Sequence, residues 1–249
     1  MRVAIFSDIH ANLPALEAVL ADVEDAEIGQ RWCLGDVVGY GADPDACAEL
    51  AAGSDVCLVG NHDLAVLGEL DTGTFSAAAA AAVEWTVEHA SEATLSFLGG
   101  LSPADASHDA ALYHASPRDP VWEYVLWPDQ AADCLAIQER RVSFVGHSHV
   151  ALFFSAPELD DDRTPAPEAR GWQAGAGTRL EIGEGRWLIN PGSVGQPRDG
   201  DPRAAWLELD TDSWEATYHR ITYDVERAAA SIERAGLPEH LARRLFVGR

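Results

Sequence analysis

Five times within the first 150 residues, a short apolar run stops at a polar residue able to bind a metal ion. Val3-Ala4-Ile5-Phe6 leads to Asp8 and His10, and Trp32-Cys33-Leu34 leads to Gly35-Asp36. Val56-Cys57-Leu58-Val59 leads to Gly60-Asn61-His62-Asp63, and Ala111-Leu112-Tyr113 leads to His114. Val142-Ser143-Phe144-Val145 leads to Gly146-His147-Ser148-His149. Runs this short, bounded by glycine or polar residues, fit strands buried on both faces. Helical patterns separate them. Leu13, Leu16, Val19, Leu20 and Val23 recur at helical spacing, with Asn12 as the cap and Pro14 in the first turn. Residues 43–52, 75–90 and 128–139 also read as helices. Strand–helix alternation implies crossover connections and a mostly parallel sheet, where ligands collect beyond the carboxyl ends of the strands. All five polar clusters fall at such ends, so one fold can gather them.

The second half has a different rhythm. Residues 151–156, 178–182, 186–190, 204–209 and 214–223 read as strands joined by short turns, which suggests antiparallel pairing in a second sheet. Helices are expected at 224–235 and 238–247, broken by Gly236-Leu237-Pro238. The Asp-, Pro-, Gly- and Ala-rich stretch 157–177 reads as a surface loop. No internal repeat and no linker divides the chain, so residues 1–249 are expected to form a single domain.

Charge narrows the function. The net charge is −24, and all 17 basic residues are arginine. Such a surface repels a polyanion, so extended binding along nucleic acid is not expected. Cys33, Cys47, Cys57 and Cys134 form no C-x-x-C pair, which argues against a thiolate zinc knuckle and for free thiols. No apolar run reaches the ~18 residues of a membrane span. The N-terminus turns polar by Ser7-Asp8, too early for a signal peptide, so a cytoplasmic location is expected.

The candidate ligands are Asp8, His10, Asp36, Asn61, His114, His147 and His149. In extended backbone, residues two apart point the same way, so Asp8 with His10 and His147 with His149 can each face one site. Seven oxygen and nitrogen donors exceed one tetrahedral ion, whereas two ions sharing Asp36 use them all. Carboxylate, amide and imidazole donors without thiolate suit Mn, Fe, Zn, Ni or Co. Taken singly, each residue has a plainer reading: a lone Asp after a strand caps a helix, and Gly-Asp and Gly-Asn are common turn pairs. Their joint occurrence is the signal. Five of the nine histidines, at 10, 62, 114, 147 and 149, fall in strand-end motifs.

Asp8-Ile9-His10, Gly35-Asp36, Gly60-Asn61-His62-Asp63, His114 and Gly146-His147-Ser148-His149, in this order, resemble the calcineurin-like metallophosphoesterases. The stretch Asn190-Pro191-Gly192-Ser193-Val194-Gly195-Gln196-Pro197-Arg198 extends the likeness. The resemblance implies a four-layer αββα sandwich of two mixed sheets flanked by helices. It implies that Asp8, His10, Asp36 and His149 hold one ion, and Asp36, Asn61, His114 and His147 the other. Gly35-Asp36-Val37-Val38-Gly39-Tyr40-Gly41 lacks the arginine-bearing block of protein serine/threonine phosphatases and is similar to small bacterial phosphodiesterases.

The expected reaction is hydrolysis of a small phosphate monoester or diester. Two ions ~3.5–4 Å apart acidify a bridging water to hydroxide and neutralise developing charge. His62, between Asn61 and Asp63, is expected to protonate the leaving oxygen, with Asp63 fixing its tautomer. The alternative for Asp63 is a helix cap. Asn61 and Arg198 are the expected substrate contacts, Arg198 as a phosphate clamp or else a partner in a structural ion pair. Hydrolysis of a dinucleoside polyphosphate is an alternative. A catalytically idle binding scaffold is another, disfavoured by the presence of His62 and a complete ligand set.

Overall fold

The computed structural model describes residues 1–158 and 168–249. In chain order the first elements are β1 (Arg2–Phe6), α1 (Leu13–Asp25), β2 (Gln30–Cys33), α2 (Pro44–Ala51), β3 (Val56–Cys57) and α3 (Asn61–Val66). Next come α4 (Ala77–His89), α5 (Glu92–Gly99), β4 (Ala104–Asp105), β5 (Ala111–Tyr113), α6 (Pro128–Ile137) and β6 (Val142–Val145). The chain then runs through β7 (Ala151–Ala156), β8 (Arg170–Gln173), β9 (Arg179–Glu181), β10 (Arg186–Pro191), β11 (Ala204–Asp210) and β12 (Glu215–Ile221). It ends with α7 (Val225–Arg234) and α8 (Glu239–Arg244).

Two mixed six-stranded sheets result, ordered β3-β2-β1-β11-β12-β9 and β4-β5-β6-β10-β7-β8. The layering follows from side-chain alternation in strands buried on both faces. In β1, Val3 and Ile5 join the core between the sheets, while Ala4 and Phe6 pack under the helices. β11 does the same, sending Leu207 and Leu209 between the sheets and Trp206 outward. The first helix layer presses Leu16 and Val19 of α1, Cys47 of α2, Val66 of α3 and Leu98 of α5 onto that outer face. Behind the second sheet, Ala131, Cys134 and Leu135 of α6 cover Val145, Leu152, Phe154 and Leu188. A fully buried side chain such as Phe144 contributes roughly 1.5–3 kcal/mol. α7 and α8 pack with α4 around Tyr40 in a separate apolar cluster. The Asn12 side chain caps α1 by accepting from the Ala15 amide at 3.2 Å, as its position predicts.

The expectation of a separate antiparallel sheet in the second half is overturned. β11, β12 and β9 add to the β1 sheet, with β11 antiparallel to β1, and β10 pairs parallel to β6. The first sheet is thus parallel on one side of β1 and antiparallel on the other, while the second has β5, β6 and β10 parallel at its centre and antiparallel pairs on both sides. The expected 157–177 loop contains a strand, β8, paired antiparallel with β7. Residues 159–167 of that stretch lie outside the described residues. α3 and α5 were not expected. Among the described residues no helix is long and apolar enough to cross a membrane.

Candidate metal centre

Loops leaving the carboxyl ends of β1, β2, β3, β5 and β6 converge on one point. They are bolted together through the backbone. The Asp8 amide donates to Gly35 O (3.0 Å), the His10 amide to Asp36 O (2.9 Å) and the Gly146 amide to His114 O (2.7 Å). The loop after β10 closes the ring: the Gly195 amide and the Ser193 hydroxyl both donate to Asp8 O at 2.9 Å. Gly60 is obligatory here, because a Cβ at that position would overlap the Asp36 carboxylate.

Seven sequence-selected donors meet at this point. Asp8, His10, Asp36 and His149 form one group whose ligand atoms lie within 4.8 Å of one another. Asp36, His114 and His147 form a second, so Asp36 belongs to both. The Asn61 carboxamide oxygen lies 3.2 Å from His114 Nε2, beside the second group. All seven residues are at most 3% exposed.

The way they converge differs from the expected one. Asp8, His10, Asp36, His147 and His149 all have φ between 50° and 62°, the left-handed region rather than extended backbone. Asp and His tolerate that region better than bulky residues, yet each such residue costs on the order of 1–3 kcal/mol. The backbone bonds above hold the loops in this strained form.

Hydrogen bonds choose the ligand nitrogens. Nδ1 of His10, His114 and His149 faces the carbonyls of Val38 (3.1 Å), Leu34 (2.9 Å) and Gln196 (2.7 Å). A proton held on Nδ1 leaves Nε2 of each as the lone-pair donor towards the cluster. His10 and His114 Nε2 lie 3.5 and 3.6 Å from Asp36 Oδ2, and His149 Nε2 3.5 Å from Asp8 Oδ1. His147 is reversed, with Nε2 3.1 Å from the Trp122 carbonyl and Nδ1 left free. No sequence signal marks these carbonyls, because any residue supplies one.

The donor set fits divalent ions. Asp8 Oδ2 and Asp36 Oδ2 are buried with no hydrogen-bond partner among the described residues. An unpaired buried carboxylate oxygen is costly, and a cation relieves it. Burial pushes Asp8 up to about 7 and, with the charge of Asp63 added, raises Asp36 well above the usual carboxylate range. Burial first, then neighbouring positive charge, pushes His10, His147 and His149 well below the usual imidazole value, so they stand neutral as ligands must.

A domain of the calcineurin-like phosphoesterase superfamily matches residues 1–212. The chain belongs to that superfamily. An uncharacterized protein of Methanocaldococcus jannaschii is 36% identical over 264 aligned positions, covering 99% of this chain and 98% of the relative. The crystal structure of a metallophosphoesterase from Sphaerobacter thermophilus is 38% identical, with a TM-score of 0.87 over 100% of this chain and 99% of that one. A hypothetical protein from Pyrococcus horikoshii OT3, 19% identical, shares the fold at a TM-score of 0.77, covering 100% and 98%. Family membership and the buried Asp/His cluster make this chain a metal-dependent phosphoesterase.

Around this phosphoesterase centre the remaining predicted residues separate. His62 is buried, its ring 4.3 Å from that of Tyr40 and 4.9 Å from that of His10. Burial and the Arg198 charge push it well below the usual value, and its Nδ1 has no partner among the described residues. The expectation that Asp63 fixes the His62 tautomer is therefore corrected. Asp63 accepts from the amides of Val37 (3.2 Å), Val38 (2.9 Å) and Gly60 (2.9 Å), as a cap of α3 that also ties down the Asp36 loop. Arg198 is half-buried, and no carboxylate pairs with it among the described residues. Its guanidinium reaches Gln196 Oε1 (3.0 Å) and the Tyr40 hydroxyl (3.4 Å), while its amide donates to His149 O (3.0 Å). Arg118, four residues after His114 and not among the expected site residues, pairs with Glu123 and Asp133 at the surface. Tyr40, Phe75, Trp122 and Tyr124 border the site without having been singled out in the sequence; only Tyr40 sat inside a motif block.

Proposed function

We propose that the chain hydrolyses small phosphate monoesters or diesters at a centre of two divalent ions. The observation that carries this is Asp36, shared by two groups of buried donors and left with an unpaired Oδ2 between them. Asp8, His10, Asp36 and His149 would hold one ion, and Asp36, Asn61, His114 and His147 the other. When bound, the ions supply positive charge that polarises a phosphoryl oxygen and acidifies a coordinated water. Arg198 receives a non-bridging oxygen of the ester; its guanidinium lies over Tyr40 and has no carboxylate partner among the described residues, which supports that role. Asn61, through its amide, helps orient the ester against His114.

His62 protonates the leaving oxygen. Its neutral state in the free site suits this order of events. Burial, and after it the Arg198 charge, keeps the imidazole neutral in the free site, and an anionic ester beside it favours its protonation. Among the described residues the His62 side chain is held by ring contacts with no carboxylate behind it, which leaves it free to pass that proton on.

The test is a panel of monoesters, cyclic and linear diesters and dinucleoside polyphosphates assayed with added Mn or Ni. Hydrolysis that disappears with a chelator and returns with metal is expected. Arg198→Ala should lower kcat/KM about 10- to 100-fold, as loss of a charge-assisted contact worth ~1.5–3 kcal/mol does. A metal-loaded protein that cleaves none of these esters would instead be a binding scaffold.

A further inference from the structure

Ring contacts run in a continuous row around the metal centre. His62 meets Phe75 edge-on at 4.9 Å, and Phe75 meets Trp122 edge-on at 5.2 Å. Trp122 lies 6.4 Å from His147, and Tyr124 lies tilted on His147 at 4.1 Å. On the other side of His62, the Tyr40 ring lies at 4.3 Å, and the Arg198 guanidinium lies over Tyr40 at 5.8 Å. The row draws on α3 and on separate loops following β2, α3, β5, β6 and β10.

This rim is built to stay in place. The Asp119 carboxylate accepts from the amides of Val121 and Trp122, both at 3.1 Å. Glu123, between the two rim aromatics, is held by Ser116 and Arg118. The Trp122 carbonyl is fixed by His147. Tyr124 is nevertheless 41% exposed, and Phe75 and Trp122 are half-buried. Three large aromatic planes thus stand preorganised and open beside a site whose phosphate chemistry needs only cations and polar donors.

We infer that this rim, chiefly Phe75, Trp122 and Tyr124, selects phosphate esters that carry a nucleobase, by stacking it. Bases present a π-face to any such platform, and each stack contributes ~1–3 kcal/mol. Two ring steps, His10 to His62 and His62 to Phe75, each 4.9 Å, separate Phe75 from the liganding histidine. A base carried on a ribose spans that gap, whereas a phenyl group bonded directly to the phosphoryl oxygen stops short against His62. The net charge of −24 disfavours a polynucleotide and so favours a small nucleotide ester. The inference rests on the phosphoesterase reading above.

The experiment compares thymidine 5′-(4-nitrophenyl phosphate) with methyl 4-nitrophenyl phosphate on the metal-loaded full chain. Both release the same nitrophenolate, so the ratio of kcat/KM isolates the nucleoside. A preference of about 5- to 150-fold for the thymidine ester is expected, the equivalent of one stack. Trp122→Leu, which keeps the backbone carbonyl for His147, should bring the ratio towards one, as should Tyr124→Leu at its exposed position. Equal rates on the two esters in the wild type overturn the rim inference while leaving the phosphoesterase reading standing. A preference that survives both substitutions also overturns it, as does faster cleavage of a phosphotyrosyl peptide than of either ester. Failure to cleave any ester overturns both.

Discussion

Lowering the pH should expel the metal ions by a route the structure makes countable. Burial pushes Asp8 up to about 7, so below that pH the ion-free protein holds a proton there that an ion must displace. The ion-free state then binds more protons than the loaded state, and affinity falls as pH falls. At pH 5.5, some 1.5 units below that value, the Asp8 proton alone weakens binding about 30-fold. Asp36, raised well above the usual carboxylate range, adds a second proton. His10, His147 and His149 add none, because burial has already stripped them. Titration calorimetry with Mn2+ at pH 5.5, 6.5 and 7.5, in two buffers of different ionisation heat, counts the protons. One to two should be released per chain in the acid range, with log Kd changing by one to two decades per pH unit. A flat profile, or a slope near four, would refute the reasoning: the first means the carboxylates are not protonated, the second that the histidines are charged.

His62→Ala should retain both ions and much of the activity on a nitrophenyl diester, whose leaving group needs no proton. It should lose about 10²- to 10⁴-fold on an alkyl ester; equal losses on the two would remove His62 from the acid role. Gly39→Ala at φ 88° places a Cβ 2.5 Å from His62 Nδ1, so it should mimic that leaving-group dependence more weakly. Dependence on the alkyl leaving group unchanged from wild type would show that the ring needs no such fixed seat. Arg220→Met strands Asp199, whose side chain is buried and otherwise accepts only from the amides of Ala151 (3.1 Å) and Asp201 (3.4 Å) among the described residues. It should cost about 3–5 kcal/mol in denaturant unfolding. Arg2→Met, which breaks a solvent-exposed pair with Glu208, should cost no more than ~1 kcal/mol. Equal losses would mean that burial does not govern these pairs.

The site was more legible than the sheets. Asp8, His10, Asp36, Asn61, His114, His147 and His149 are rare residue types at strand ends, and such types show wherever the loops go. The backbone that aims them was misread, since nothing in Asp8-Ile9-His10 separates extended from left-handed geometry; the tethers to Gly35, Asp36 and Gly195 decide it. Strand partners were hidden for another reason. β11 is buried on both faces, so its apolar run carries no sign of which sheet it joins, and its partner β1 lies about 200 residues earlier in the sequence. β8 has every residue exposed, which leaves no alternation to read. α3 was concealed because Gly60-Asn61-His62-Asp63 has the composition of a turn, and Asp63 caps the helix from within the motif. The rim aromatics lie on loops far apart in sequence, and only folding puts them in one row.

Metal analysis of the wild type beside Asp36→Asn tests the central claim most directly. A carboxylate shared by two groups of donors predicts about two bound ions per chain in the wild type, and weakened binding of both in the variant, with fold and far-UV spectrum retained. One tight ion per chain, unchanged by Asp36→Asn, would contradict a centre built around that residue.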